Sequence, residues 1–483
     1  TTVGAGIYDG TSWTNAYFKI SDALEDCTYA GDTIYMKSGT YQRNEPIDVS
    51  GYPGLIIKGG YAGMGTPGPL GGATIITRTA DHYIRLFYGT AATVTLCNLI
   101  IEGGYLGTPA GIDGGGLYFG GNSVVQLTNC IVRGNQLYVG GTNPEEGGGL
   151  YQSGGSLTIV NSAFYTNRCL KLDWSTSDHG GALAAVNANV ILRDTLFQGN
   201  YMTCRHYDLF GGAVYFSGGT ATVEGCVFTN NYVYGEGESG PSASAYGGAI
   251  HASSVKKMTI KNSTFANNRV YNFGAAKGRG ACLYFVGSTC TMNRVIMNGN
   301  GHANNGRGII YLESGRLWCT NLLVVKATGE NGVYSAAGVM ALENVTLADN
   351  AQNGASNIAA TTTIKNSIIW GNTVGGLGGT FNVTYSCVQG GAMGTGNINV
   401  DPQFLDTKHY HVKSAVGCYT NGYFTGGSWV FALSSSPVID AGDPASFFGY
   451  EPMPRGKRIN MGFYGNTETA SKGTMSGTIF MFK

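Results

Sequence analysis

Asp173, Asp178, His179, Arg205, His206 and Asp208 are the neighbouring acids and bases with which this sequence could cleave a polymer. Paired carboxylates supply the acid and the base, or the nucleophile, for breaking a glycosidic bond, and a basic side chain facing a uronate supplies β-elimination. Glu145, Glu146, Arg168, Arg269 and Arg279 share the same stretches, as do Tyr138, Trp174, Tyr201, Tyr207, Tyr232, Tyr234 and Tyr271. Rings with an apolar body and a polar edge suit stacking against sugars, so this second set is a candidate binding surface. Lys256 and Lys257 are the paired bases on an expected strand; with no matching acid or Arg in the neighbouring coils they read as a solvated pair. No CxxC or Cys/His spacing argues for zinc, and neither metal nor cofactor is expected.

These residues are positioned by a repeat. The chain reads GGGLYFGGNSVVQLTNCIVRGN from Gly114 and returns to nearly the same phrase from Gly147, Gly180, Gly211 and Gly247, with a more worn copy ending at Asn300. The apolar residue after each Gly pair falls at Leu117, Leu150, Leu183, Val214 and Ile250, in steps of 33, 33, 31 and 36 residues. Such a period marks a solenoid. Inside each copy, short runs such as LYF, VVQL and CIV alternate apolar with small or polar residues, the pattern of strands. Corners recur at Asn98, Asn129, Asn161, Asp194, Gly225, Asn262, Asn293, Asn321, Asn344 and Asn366. Residues that tolerate a left-handed backbone suit those corners, and the spacing predicts that their amides bond from coil to coil as an Asn ladder. The last steps shorten to 23 and 22 residues, enough for three strands and three corners. Longer coils therefore carry insertions, at 136–146, 168–179, 201–210, 232–246 and 269–279, all at one corner and so along one edge.

The Gly-Gly phrase, with Asn161-Ser162 and Asn262-Ser263 opening the N-[CST]-x-[FI]-x-x-N phrase, resembles the right-handed parallel β-helix of secreted bacterial proteins in the pectate-lyase-like superfamily. The resemblance covers most of the chain and implies an all-β solenoid of roughly twelve coils. It implies no activity, because that fold carries lyases, hydrolases, adhesins and structural proteins. It also implies that catalytic groups stand on strands or at their ends, whereas the set around His179 lies in insertions. No Asp-Asp pair, Gly-His-Gly or Arg-Ile-Lys like those of the pectin-cleaving hydrolases is present.

The resemblance extends to both ends. Residues 1–45 read as a cap, with Phe18, Ile20, Ala23, Leu24 and Cys27 at helical spacing. Residues 46–390 read as the β-helix and 391–472 as a closing segment, with Asp440, Asp443 and Arg455 in a structural cluster. Residues 473–483 end in an apolar strand, Ile479, Phe480, Met481 and Phe482, of a kind that either folds back on its own body or pairs with a neighbour's sheet edge.

Charged residues are 12% of the chain and sum to zero, which removes the basic field that nucleic acid or an anionic membrane would attract. No apolar run is long enough to span a membrane. Cys130 and Cys226 take the place of Ser162 and Thr195 in sister coils and read as small core residues, while Cys169 with Cys204, or Cys282 with Cys290, could meet. The chain opens at Thr1 without Met, and an exported, extracellular or cell-surface protein is expected. The leading expectation is a structural or adhesive protein that self-associates into filaments through 479–482. Two alternatives stay open, a polysaccharide-degrading lyase or hydrolase at the insertion edge and a carbohydrate-binding protein without turnover.

Overall fold

The computed structural model describes residues 8–107, 113–139, 146–171, 177–204, 208–235, 244–272, 278–302, 306–359 and 361–474. Asp173, Trp174, Arg205, His206, Tyr207 and the assembly residues Ile479, Phe480, Met481 and Phe482 lie outside them. The fold is an all-β, right-handed parallel β-helix. Its one helix among the described residues, Ile20–Glu25, is shorter than the apolar spacing anticipates: Lys19 offers no side-chain cap, and only Leu24 is buried. The chain divides into two compact units, residues 1–259 with 266–284, and 260–265 with 285–483.

In the first unit the repeat is a register. Leu117, Leu150, Leu183, Val214 and Ile250 pair in one unbroken parallel row, each fully buried. A second row, Phe164, Phe197 and Phe228, stacks ring on ring at 5.0 and 4.8 Å. Cys130, Cys226, Cys169 and Cys204 are all buried; the register partners of Cys169 are Leu137 and Met202, and those of Cys204 are Lys171 and Gly235.

The Asn ladder sits elsewhere than the sequence places it. The corner residues Asn98, Asn129, Asn161 and Asp194 do take the left-handed conformation, with φ between 47 and 55°. Their side chains face outward, and among them only Asn129 bonds its counterpart, Nδ2 donating to Asn98 Oδ1 at 3.3 Å. The buried ladder is the Asn that closes each repeat six residues later: Asn135, Asn167, Asn200, Asn231 and Asn268, all fully enclosed. Each Nδ2 from Asn135 to Asn231 donates to the next Oδ1 at 2.9–3.0 Å, and that oxygen also accepts the backbone N–H one coil back.

The insertions are not simply loops. Their first residues form a parallel sheet of Gln136–Val139, Arg168–Lys171, Tyr201–Cys204, Tyr232–Gly235 and Arg269–Asn272. Their last residues form a second, of Asp178–His179, Leu209–Phe210 and Ala245–Tyr246. Leu137, Cys169, Met202, Val233 and Val270 from the outgoing strands meet Leu209 and Ala245 from the returning ones in a separate apolar core. The edge is therefore a folded flange, rigid enough to hold side chains in place.

The Gly pair joins flange to coil. Gly147 turns the chain at φ 74°, where a Cβ would lie 2.2 Å from Leu150 O. Gly148 passes between two backbones, and a Cβ there would lie 2.4 Å from both Arg168 O and Gly181 O.

In the second unit the coils are bare. Ile310, Val333, Ala355 and Leu377 pair in steps of 23, 22 and 22 residues. The corner amides bond the closing segment: Asn321 Nδ2 donates to Phe463 O and Asn344 Nδ2 to Asn460 O. Arg455 donates through Nη1 to the carbonyls of Phe448, Gly449 and Glu451, and Asp443 pairs with Lys365 at 2.7 Å, which leaves both in structural work.

Glu451, buried in that segment, accepts the N–H groups of Asn460 and Asn466 on one oxygen, at 2.8 and 2.9 Å. Burial pushes its carboxyl from an ordinary 4.5 to about 7. A folded-state value above the unfolded one means that its stabilisation is complete below about pH 4.5 and is lost as the pH rises through 7. The amide of Glu451→Gln keeps both accepting bonds and does not titrate. The variant should match the wild type at pH 5 in guanidinium melts and exceed it by up to about 3 kcal/mol at pH 8; the same difference at both pH values would refute the assignment.

Candidate functional site

Every returning flange strand ends one residue before the Gly turn, and those last residues stand in register as Glu146, His179, Phe210, Tyr246 and Arg279. Asp113 extends the row by one coil, its carboxylate accepting the N–H of Glu146 at 3.1 Å. Opposite runs the outward row of the coil strands: Tyr88, Tyr118, Tyr151, Ala184, Tyr215 and His251. Tyr88, Tyr118 and Tyr151 stack at 5.3 and 5.4 Å.

The ring column breaks at Ala184, and the flange fills the break. The His179 ring lies on Tyr215 with 4.1 Å between centroids and a tilt of 21°, while its Nδ1 bonds Glu146 Oε1 at 2.7 Å. A larger residue than Ala184 would take that space. The carboxylate fixes the imidazole's orientation and tautomer, leaving Nε2 as the basic nitrogen.

Burial first, then the Glu146 carboxylate, raises Asp113 to about 7, against the smaller pull of Arg85 and His179. The Arg85 guanidinium covers Tyr118 at 4.7 Å and Tyr88 at 5.6 Å. The set thus combines a carboxyl still protonated near neutrality, a second carboxylate and an oriented imidazole, which is acid–base equipment. Further along, His251 is buried between Tyr215 and Tyr284, and neither ring nitrogen has a hydrogen-bond partner among the described residues. Burial holds it well below the ordinary imidazole value and hence neutral.

The residues anticipated from sequence are distributed between two faces and a core. Asp178 and His179 are consecutive in a strand and point opposite ways: Asp178, in register with Leu209, is buried on the flange's inner side, and His179 faces the ring column. Asp208 accepts the N–H of Ser244 at 2.8 Å. Asp178, His179 and Asp208 do not converge on one point. Tyr138, Tyr201, Tyr232, Tyr234 and Tyr271 do share a surface, the outer face of the outgoing flange sheet. Asp113 was missed and Glu146 was left among the bystanders; the signal was the residue directly preceding each Gly pair. Among the described residues, no group of three or more His, Cys, Asp or Glu is placed to hold a metal, and no helix is long and apolar enough to cross a membrane.

The molecule is thus a parallel β-helix carrying a flange that sets acids and an imidazole against stacked rings. No protein-family model matches the chain, and no curated protein matches it in sequence. Among solved structures it is similar to the catalytic unit of a thermostable GH87 α-1,3-glucanase from Streptomyces thermodiastaticus strain HF3-3, at 14% identity and a TM-score of 0.33 over 79% of this chain. The match spans 65% of that structure's chain. A likeness at that level carries no argument about activity.

Proposed function

We propose that the chain is an exported protein that acts on polysaccharide, hydrolysing glycosidic bonds between the flange and the ring column. One observation carries this reading: a carboxyl raised to about 7, Asp113, adjoins the Glu146–His179 pair beside a column of tyrosines. Asp113 gives its proton to the leaving glycosidic oxygen as the bond to the anomeric carbon breaks. His179, held by Glu146, takes a proton from the water that attacks that carbon, and solvent returns the two groups to their starting states.

The reading is tested with a panel of soluble polysaccharides scored for new reducing ends. Asp113→Asn should lower kcat about 100-fold or more and leave glycan retention intact. Wild-type activity should fall as the pH rises through about 7, where the acid loses its proton. A wild type that retains glycan without cutting it removes the hydrolysis and leaves a carbohydrate-binding protein. The structural or adhesive reading, with assembly through 479–482, stays a separate proposal whose residues lie outside the described ones.

A further inference from the structure

The flange has a second face, pointing away from the acid cluster. On the outgoing sheet the buried row Leu137, Cys169, Met202, Val233 and Val270 turns inward, so both flanking rows turn outward. One is Gln136, Arg168, Tyr201, Tyr232 and Arg269; the other is Tyr138, Leu170, Thr203, Tyr234 and Tyr271.

In the second row the rings stop and start again. Tyr138 stacks diagonally on Tyr105, the register partner of Gln136 in the first row, at 6.2 Å; Tyr234 packs against Tyr271 at 5.9 Å, and Leu170 and Thr203, between Tyr138 and Tyr234, carry no ring. Three strand spacings separate the two tyrosines, about 14 Å. A closed column such as Tyr201 on Tyr232, parallel within 6° at 4.8 Å, uses ring faces on each other. An interrupted one leaves a recess bounded by rings.

Charge selects what enters it. Arg168 borders the recess, with Nε donating to Gln136 Oε1 at 2.7 Å and Nη1 to Tyr201 Oη at 3.0 Å. Its Nη2 bonds no protein group among the described residues and is held in place by the other two bonds. Arg269 stands in the same row, Arg78 covers Tyr105 at 5.3 Å, and neither row contains a carboxylate. A fixed guanidinium beside ring faces suits an anionic group on a sugar.

We propose that this recess binds an anionic polysaccharide, lying along the strand stack between Tyr138 and Tyr234 with its carboxylate or sulfate at Arg168. The site is independent of the Asp113 set, and its test scores retention rather than cleavage.

Affinity electrophoresis of the full chain in gels containing polygalacturonate, dextran sulfate or neutral dextran separates the possibilities. The two charged polymers should retard the protein and dextran should not; retardation by one alone identifies carboxylate or sulfate. Leu170→Tyr with Thr203→Tyr completes the ring column as its neighbours already do, and should abolish retardation by filling the recess. Arg168→Gln, which removes the charge, should weaken it at least tenfold and decides the matter if the double variant misfolds by circular dichroism. Equal retardation by dextran, no retardation by either anionic polymer, or undiminished retardation of Arg168→Gln overturns the proposal.

Discussion

Asn200→Ala should cost the first unit about 3–5 kcal/mol, enough to unfold a marginal domain. The fully buried side chain makes four bonds: Nδ2 donates to Phe164 O at 2.9 Å and Asn231 Oδ1 at 3.0 Å, and Oδ1 accepts both the backbone N–H and the Nδ2 of Asn167 at 3.0 Å. Truncation leaves the Asn167 N–H, one Asn167 amide proton and the Phe164 carbonyl bond unreplaced, each a buried loss of about 1–3 kcal/mol. Asn231 Oδ1 keeps the Asn200 N–H, which limits the damage.

Asn200→Asp separates hydrogen bonding from volume. Its oxygens can accept as before, but an ionised carboxylate cannot donate to Phe164 O or Asn231 Oδ1. Burial would raise its pKa, so its penalty should grow with rising pH and shrink in acid, where the protonated form donates once. At the outward corner, Asn129→Ala should cost only about 1 kcal/mol, for left-handed strain and one long bond. Thermal melts of the three variants decide this, and an Asn129 loss equal to that of Asn200 would remove the special standing of the enclosed ladder.

The second large effect is expected at Gly148. A Cβ there meets Arg168 O and Gly181 O at 2.4 Å and Arg168 C at 2.5 Å, backbone atoms of the flange strand and of the next coil. Neither can rotate away as a side chain would, so flange and coil must part, at about 3 kcal/mol or more. Gly134→Ala is the control. It has φ 59° but open space around its Cβ, so left-handed strain of about 1 kcal/mol is all it should pay. Because Gly148 lies two residues after Glu146, parting should also disturb the Glu146–His179 pair, and the proposed glycan cleavage should fall along with stability. Denaturant midpoints that differ little between the two variants would show that the Gly pair serves something other than close approach.

The legible part of the molecule is what repeats. The row from Leu117 to Ile250 was countable because the Gly pairs fix where each strand begins, and the pairing follows that count residue for residue. The ladder was misplaced because Asn129 and Asn135 are the same residue type, both at corners. Only the course of the chain turns one amide outward and encloses the other. The insertions hid the site for a related reason: their lengths differ, so counting forward from their starts loses the register that pairing restores at their ends. Tyr138, Tyr201, Tyr232, Tyr234 and Tyr271 were found as a group because they lie within four residues of the enclosed Asn, before lengths diverge. Asp113 and Glu146 lie beyond that divergence.

The row that closes the flange changes character along its length, from Asp113 and Glu146, through His179, Phe210 and Tyr246, to Arg279. It is a line of fixed spacing with an acidic end and a basic end. A polymer laid along such a line does not meet the same environment when reversed, since its two chain directions would present each substituent to opposite chemistry. The flange therefore has a sense of direction that the repeating coils lack, and a strand threaded along it would be read one way round.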